Sequence, residues 1–255
     1  MKSFRAYIKK EFIEGIRTKK FLILAVGVLF FSLSDPVLLK LLPEILKGQM
    51  QGVDFSALIE LSQKAAMENY TKDLFQISTL IIVLSLMGIM SNELKDKTLT
   101  IPVSMGCSIK GVIGGKMLVY GLYLMVLNVA GMVIAYCYSG IIFGFTHGSF
   151  LAAVISGFIY GVFFIFVLSL LFLFSAFLKK SFAAAMATLV LTYFIPFLKF
   201  SQKTWGILPG KLLEEANHFK FLPSKEMIVP LIFTVFLIVL FSVIATEKFK
   251  KAEFV

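Results

Sequence analysis

The longest uncharged stretch of the chain is the feature that most limits its fold. Residues 117–178 contain no Asp, Glu, Lys or Arg. One membrane span needs about 20 apolar residues, so this stretch is long enough for two spans. The Gly- and Ser-containing segment 144–149 is the natural turn between them. Hydrophobic residues make up 58% of the chain and charged residues 16%, whereas soluble domains carry about 25% charged residues. The chain is therefore predicted to be an all-α polytopic membrane protein.

Hydropathy divides the chain into six predicted spans within one transmembrane domain. The first carries Pro36, where we expect a kink or fraying. Two longer polar segments, 40–73 and 199–226, are predicted to hold short external helices. The predicted spans are about 21–40, 74–92, 117–143, 150–177, 181–198 and 227–246.

The distribution of basic residues predicts the orientation. Sixteen of the 25 Lys and Arg residues fall in the N-terminal segment, the 92–116 loop, the 179–180 pair and the C-terminal tail. Nine fall on the other face. Because cytoplasmic flanks are enriched in Lys and Arg, both termini are predicted to be cytoplasmic. On so apolar a chain, the net charge of +10 points to anionic membrane lipid as a partner and not to nucleic acid.

The first 20 residues predict an amphipathic helix on the membrane surface. Phe4, Ile8, Phe12 and Ile16 recur at four-residue spacing, and Arg17 is among the polar residues of the other face. This pattern is typical of a helix lying in the membrane interface. The alternative is a simple basic flank that anchors the first span.

The 92–116 loop contains a partial match to a phosphate-binding loop. Gly115 and Lys116 occupy the second Gly and the Lys of G-x-x-x-x-G-K-[ST], but Lys110 stands in place of the first Gly and Met117 in place of the hydroxyl. No strand precedes the motif and a span follows it. We therefore predict that the loop binds no nucleotide, because the cradle of backbone N–H groups and the hydroxyl for Mg²⁺ are missing.

The same loop carries a different pattern: an acid, a Thr-Leu pair, a Pro-Val-Ser run and a Lys before the next span. It resembles the loop between spans two and three in the type 2 family of ABC transporter permeases. The matching residues are Glu93, Thr98, Leu99, Pro102, Val103, Ser104, Lys116 and Met117. Lys10, Glu11 and Arg17 are similar to the opening helix of that family. The family usually has Gly before the Thr-Leu pair, where this chain has Lys97.

The resemblance implies a permease subunit of an ATP-driven exporter in a bacterial cell membrane. A second permease copy, or a homologous permease, and a separate cytoplasmic ABC ATPase would be its partners, with ATP and Mg²⁺ bound by that ATPase and no cofactor or metal in this chain. The cargo would be hydrophobic or amphipathic, such as an antimicrobial peptide, a lipid-like molecule or a drug. The residues implied to couple to the ATPase are Glu93, Leu94, Lys97, Thr98, Leu99, Pro102, Ser104 and Lys116.

Four residues within the predicted spans are candidates for a pathway or for helix packing. Asp35 is the only acid inside a predicted span, and is either a pathway residue or an interfacial cap. Asn128 either lines a path or bonds another helix. Gly157 and Gly161 form G-x-x-x-G, which allows close helix packing within the chain or at a dimer seam.

Two other classes of function are weighed against transport. Glu214, Glu215 and His218 suggest a metal enzyme, but a catalytic zinc site needs about three protein ligands, and the other His lies on a different turn. We therefore expect no enzymatic activity in this chain. A non-transporting membrane anchor or sensor, with the same loop docking a cytoplasmic regulator, is the remaining alternative.

Overall fold

The structure is a computed structural model that describes residues 2–49, 60–95, 108–178, 180–200, 205–219 and 225–253. These residues are about 90% helical and contain no strand. The α-helices are α1 Lys2–Arg17, α2 Lys20–Gln49, α3 Gln63–Asp73, α4 Thr79–Leu86, α5 Gly88–Lys95, α6 Ile109–Phe143, α7 Phe150–Leu178, α8 Ser181–Phe194, α9 Pro209–Ala216 and α10 Lys225–Glu253. A π-helical turn, Leu74–Ser78, joins α3 to α4, and a 3₁₀ turn, Ile195–Phe200, follows α8.

Within the described residues, six helical segments are long and apolar enough to cross a membrane, which confirms the predicted all-α, six-span class. Numbered in chain order, spans 1 to 6 are Lys20–Leu46, Gln63–Glu93, Ile109–Phe143, Phe150–Leu178, Ser181–Lys199 and Glu226–Lys250. Span 4 is central, with 72% of its most apolar part buried inside the chain, against 17% for span 6. Span 6 therefore presents most of its surface outward.

Span 2 begins earlier than hydropathy indicates. Its first helix, α3, buries Ala66, Met67 and Tyr70 against the rest of the bundle. Lys64 and Lys72 lie on its exposed side. The charged residues lower the mean hydropathy of this segment, so a hydropathy scan misses it. They lie on one side of the helix, and the other side is apolar and buried.

Span 1 runs through two prolines. The helix is continuous from Lys20 to Gln49 with Pro36 and Pro43 inside it, so it does not fray at Pro36. Part of the sequence between spans 1 and 2 that hydropathy assigns to an external segment is thus helical.

The two ends of the bundle are distinct. At one end, Gln63 accepts hydrogen bonds from the N–H groups of Thr146 and His147, both at 2.9 Å, and donates to the carbonyl of Tyr136. This buried amide fixes the turn between spans 3 and 4. Burial, together with the charge of Lys64, lowers the pKa of the His147 imidazole at this turn.

At the opposite end, a groove of about 420 Å³ is lined by the start of span 3 and the end of span 6, including Lys110 and Glu247. Helix α1 also lies at this end, packed on the start of span 3. We call it the terminal face, because both ends of the described chain lie there.

Candidate functional site

The terminal face contains a buried ion-pair cluster, which we define as Lys10, Glu11, Glu14, Glu93 and Lys116. Lys116 Nζ lies 2.7 Å from Glu11 Oε2 and 3.1 Å from Glu93 Oε1. The side chains of Lys116 and Glu11 are fully buried. An isolated buried charge is costly, and these opposite charges compensate one another through hydrogen bonds and attraction.

Lys10 is the second cation of the cluster. Its Nζ lies 3.0 Å from Glu11 Oε1, 3.0 Å from Glu93 Oε1 and 3.1 Å from Glu14 Oε2. Its side chain is 46% exposed, so water screens these contacts more than those of Lys116. The cluster thus has a dry core around Lys116 and a wetter rim around Lys10.

At the rim of the cluster, the neighbouring charges favour the ionised forms of Lys10 and Glu14. Burial opposes ionisation of Lys10, but the charges of Glu93 and Glu11 outweigh it, and the pKa of Lys10 is raised. Burial also opposes ionisation of Glu14, yet the hydrogen bond and charge of Lys10 and the charge of Lys116 lower its pKa. Burial and the neighbouring Glu93 raise the pKa of the Tyr7 phenol, which therefore stays neutral.

Glycines in span 3 allow α1 to approach closely. A Cβ on Gly115 would lie 3.1 Å from Tyr7 Cδ1, and one on Gly111 would lie 3.9 Å from Phe4 Cδ2. The Tyr7 ring is buried and faces both lysines, with Lys10 Nζ 5.0 Å and Lys116 Nζ 5.8 Å from its centroid. Small residues at this crossing bring the backbone of span 3 within reach of α1.

The buried side of α1 differs from its apolar stripe. Tyr7, Glu11 and Gly15 are buried, whereas Phe12 is 51% and Ile16 56% exposed. Phe4 and Ile8 are partly buried, and Arg17 is exposed. Sequence reasoning identified the stripe but missed Tyr7 as a contact residue. The signal that could have found it is the i, i+4, i+8 spacing of Tyr7, Glu11 and Gly15.

Two of the residues implied to couple to an ATPase, Glu93 and Lys116, meet in this cluster. Glu93 precedes residues 96–107 in the chain and Lys116 follows them. Leu94 lies in the last described turn of α5, which ends at Lys95. The other five residues predicted for this role lie outside the described residues: Lys97, Thr98, Leu99, Pro102 and Ser104.

Gly115 and Lys116 lie inside a continuous helix, not in a loop. Helix α6 begins at Ile109, capped by the Ser108 hydroxyl, which accepts a hydrogen bond from the N–H of Gly111. Within a helix, backbone N–H groups are engaged by carbonyls and cannot cradle phosphate. The Lys116 ammonium is already paired with two carboxylates.

The carboxylate oxygens of Glu11, Glu14 and Glu93 lie within 4.8 Å of one another, a spacing that could hold a metal ion. Lys10 and Lys116 stand among these oxygens and supply the compensating charge. Lys20 Nζ also lies 3.8 Å from Glu14 Oε1, so three lysines face three carboxylates and the arrangement is explained as an ion-pair network.

Span 2 is also linked to span 5 next to the cluster. The Ser181 hydroxyl, at the start of span 5, donates to Asn92 Oδ1 at 2.8 Å. A displacement of the end of span 2 would therefore also move span 5, as well as span 3.

The glycines of the G-x-x-x-G pair in span 4 face span 3 of the same chain. A Cβ on Gly157 would lie 2.7 Å from Val129 Cα, and one on Gly161 would lie 3.0 Å from Met125 Cα. Asn128 is buried at this crossing, where its Nδ2 donates to the carbonyl of Leu124 in its own helix at 2.8 Å. These residues pack spans 3 and 4 together.

Asp35 is buried against a second acid near the face opposite the cluster. It is 4% exposed, so it is not a water-exposed cap. Its carboxyl group lies next to the Asp73 carboxyl group of span 2, and both line one cavity. Asp73 was missed at the sequence level, because the 40–73 segment reads as a polar connector.

The acids that suggested a metal enzyme are engaged otherwise. Glu214 accepts a hydrogen bond from Trp205 Nε1 at 2.8 Å and pairs with Lys199 at 3.2 Å. Glu215 pairs with Lys211 at 3.0 Å. Burial opposes ionisation of Glu214, but the Trp205 hydrogen bond and the lysines outweigh it and lower its pKa. These contacts hold α9 against its neighbours.

Comparison with protein-family models, curated proteins and solved structures finds no match for this chain.

Proposed function

We propose that this protein is the membrane-spanning subunit of an ATP-driven ABC exporter. It would pair with a second permease subunit and be driven by a separate cytoplasmic ATPase that binds ATP and Mg²⁺. The proposal rests on the sequence resemblance to type 2 ABC permeases. The observation that carries it is the buried contact of Lys116 with both Glu11 and Glu93.

That contact joins the end of span 2, the start of span 3 and α1, so that the three would move together. Glu93 lies at the end of span 2, Lys116 near the start of span 3, and Glu11 on α1. A force applied to the 96–107 loop by a partner would therefore move α1 and both spans together. Removing one partner of a buried ion pair costs about 3–5 kcal/mol, because the other charge is left buried without compensation, so the contact opposes separation of these elements.

The proposal includes an orientation. The terminal face would be cytoplasmic, because the loops and termini on that side carry most of the basic residues. Phe12, Ile13 and Ile16, the exposed apolar residues of α1, would lie in the inner leaflet interface. A hydrophobic or amphipathic cargo fits spans whose charged residues are few.

The test is an affinity purification of the full chain from native membranes in mild detergent, followed by identification of copurifying soluble proteins. The informative variant is Lys97→Glu, since reversal of Glu93 would also break the ion-pair cluster. Lys64→Glu is the matched control, because Lys64 is exposed at the other end of the bundle.

We expect a Walker-motif ATPase to copurify with the wild type and with Lys64→Glu, and to be lost with Lys97→Glu. Absence of any ATPase from the wild-type sample would overturn the proposal. Recovery of a regulator without an ATPase would favour the anchor or sensor function instead.

A further inference from the structure

Spans 1 and 2 bring two carboxyl groups together away from the ion-pair cluster. Asp35 is fifteen residues along the helix from Lys20, which is about 22 Å at 1.5 Å per residue. Asp73 is the last residue of α3 and directly precedes the π-helical turn Leu74–Ser78. Such turns are frequent at functional sites, since the extra residue redirects neighbouring side chains.

The acid pair lacks the counter-charge that the cluster has. Asp35 is 4% exposed, and its Oδ2 has no hydrogen-bond partner among the described residues. Its Oδ1 has only the Ser34 hydroxyl, at 3.4 Å. In the same part of the structure, Lys72 is exposed and pairs with neither carboxylate. Two adjacent carboxyl groups repel each other unless they share a proton or bind a cation, so the pair is suited to a cationic ligand.

The pair opens into an amphipathic cavity of about 280 Å³, with Leu38, Leu39 and Leu42 on one side. Lys72, Asn69 and Gln76 also line the cavity, so its charged groups are two carboxyl groups and one ammonium group. Leu39 is buried, whereas Leu38 is 56% and Leu42 38% exposed. The leucine side of the cavity is therefore open at the outer surface of span 1. The cavity offers negative charge at one wall and apolar surface at the next.

We propose that this cavity binds an organic ammonium group, with the cationic head between Asp35 and Asp73 and the attached carbon chain against the leucines. A positive head supplies the missing charge and donates to the carboxyl groups that line the cavity. The leucine wall favours a carbon-bearing cation over a hydrated inorganic ion, which would lose water there without compensation. The cavity is at the small end of ligand pockets, near 300 Å³, so it holds a head group and a short chain.

The cargo would then be an amphipathic amine or a cationic amphipathic peptide. Its transport, unlike its binding, rests on the proposed function. Binding itself requires no ATPase. It can therefore be tested on the purified chain, and its failure is distinguishable from loss of the ATPase in the affinity purification.

The experiment measures binding of hexylammonium by isothermal calorimetry to the full chain in nanodiscs of zwitterionic lipid. Hexanol is the uncharged probe of equal chain length, and sodium chloride is the competing inorganic cation. The variants are Asp35→Asn, Asp73→Asn and the double variant. Glu68→Gln is the matched control, since Glu68 is an acid of the same helix that pairs with Lys64.

We expect saturable binding of hexylammonium that weakens about tenfold or more in each single variant and disappears in the double variant. Glu68→Gln should bind like the wild type, and hexanol should not saturate. The thermal unfolding midpoint of Asp35→Asn should not fall, because the change removes an uncompensated buried acid, so lost binding would not reflect misfolding.

Three results would overturn the proposal: no saturable binding to the wild type, unchanged binding in Asp35→Asn, or equal saturable binding of hexanol. Competition by sodium at concentrations equal to those of hexylammonium would assign the site to inorganic cations and would also overturn it.

Discussion

At the scale of single residues, Glu11 and Lys116 are the most consequential pair. Both side chains are fully buried and 2.7 Å separates their charged atoms. Their sequence separation places one on α1 and the other in span 3. Removing either charge leaves the other buried with less compensation.

We predict that Glu11→Gln destabilises the protein by about 3 kcal/mol, measured by thermal or denaturant unfolding in detergent. The control is Glu14→Gln, whose side chain is 33% exposed and whose loss should cost less than about 1 kcal/mol. Equal effects of the two changes would contradict the distinction between the dry core and the wetter rim of the cluster.

Gly157 is predicted to be intolerant of any larger residue. In Gly157→Ala the new Cβ would lie 2.7 Å from Val129 Cα and 2.9 Å from the Asn128 carbonyl oxygen. Both are backbone atoms, so spans 3 and 4 must separate, at a cost of about 1–3 kcal/mol.

Gly114→Ala is the matched control for that change. Its nearest neighbour would be Phe4 Cε2, at 4.0 Å, and Ala is a better helix former than Gly. We expect this variant to unfold at the same temperature as the wild type or higher. A loss of stability like that of Gly157→Ala would argue against the packing described here.

At the scale of elements, the rim charges of the ion-pair cluster add to the docking of α1, so its docking should depend in part on pH. The lowered pKa of Glu14 means that ionised Glu14 stabilises docking above the ordinary carboxylate pKa of about 4.3, and that this is lost as pH falls through the lowered value. The raised pKa of Lys10 means that its contribution holds below about 10.4 and is lost as pH rises through the raised value.

The predicted result is constant docking across neutral pH and weaker docking of α1 in strong acid. A fluorophore on Ala6→Cys, an exposed position of α1, would report release as a fall in anisotropy, in a background where Cys107 and Cys137 are replaced by Ser. In Glu14→Gln, the fall in anisotropy at acid pH should be smaller than in the wild type, because residue 14 no longer titrates. Release near neutral pH would show that the rim charges do not hold the helix.

At the scale of the whole molecule, the six-span arrangement and the charge distribution predict which face of the bundle is open to the cytoplasm and which to the outside. Cysteines introduced at Lys9 or Glu247, both exposed on the terminal face, should react with an impermeant maleimide only after membranes are opened. Cysteines at Lys64 or Lys199, both exposed, should react in intact cells. The same Cys-free background serves for all four, and the reverse pattern would refute the proposed orientation.

The amino-acid sequence by itself determined the helical class, the number of spans and the basic bias of one face. Apolar runs of span length and counts of Lys and Arg are local quantities, so they can be read without knowing which helices touch. The resemblance also selected Glu93 and Lys116, two residues that the fold brings together.

Only the tertiary structure decided which buried charges have partners. Glu11 joins Lys116 across 105 positions, and Asp35 meets Asp73 because α3 extends span 2 into a segment that reads as polar. Both are outcomes of packing between distant segments, and neither follows from periodicity. The physical reason is that burial of a charge depends on the helices around it, whereas the sequence records only its neighbours along the chain.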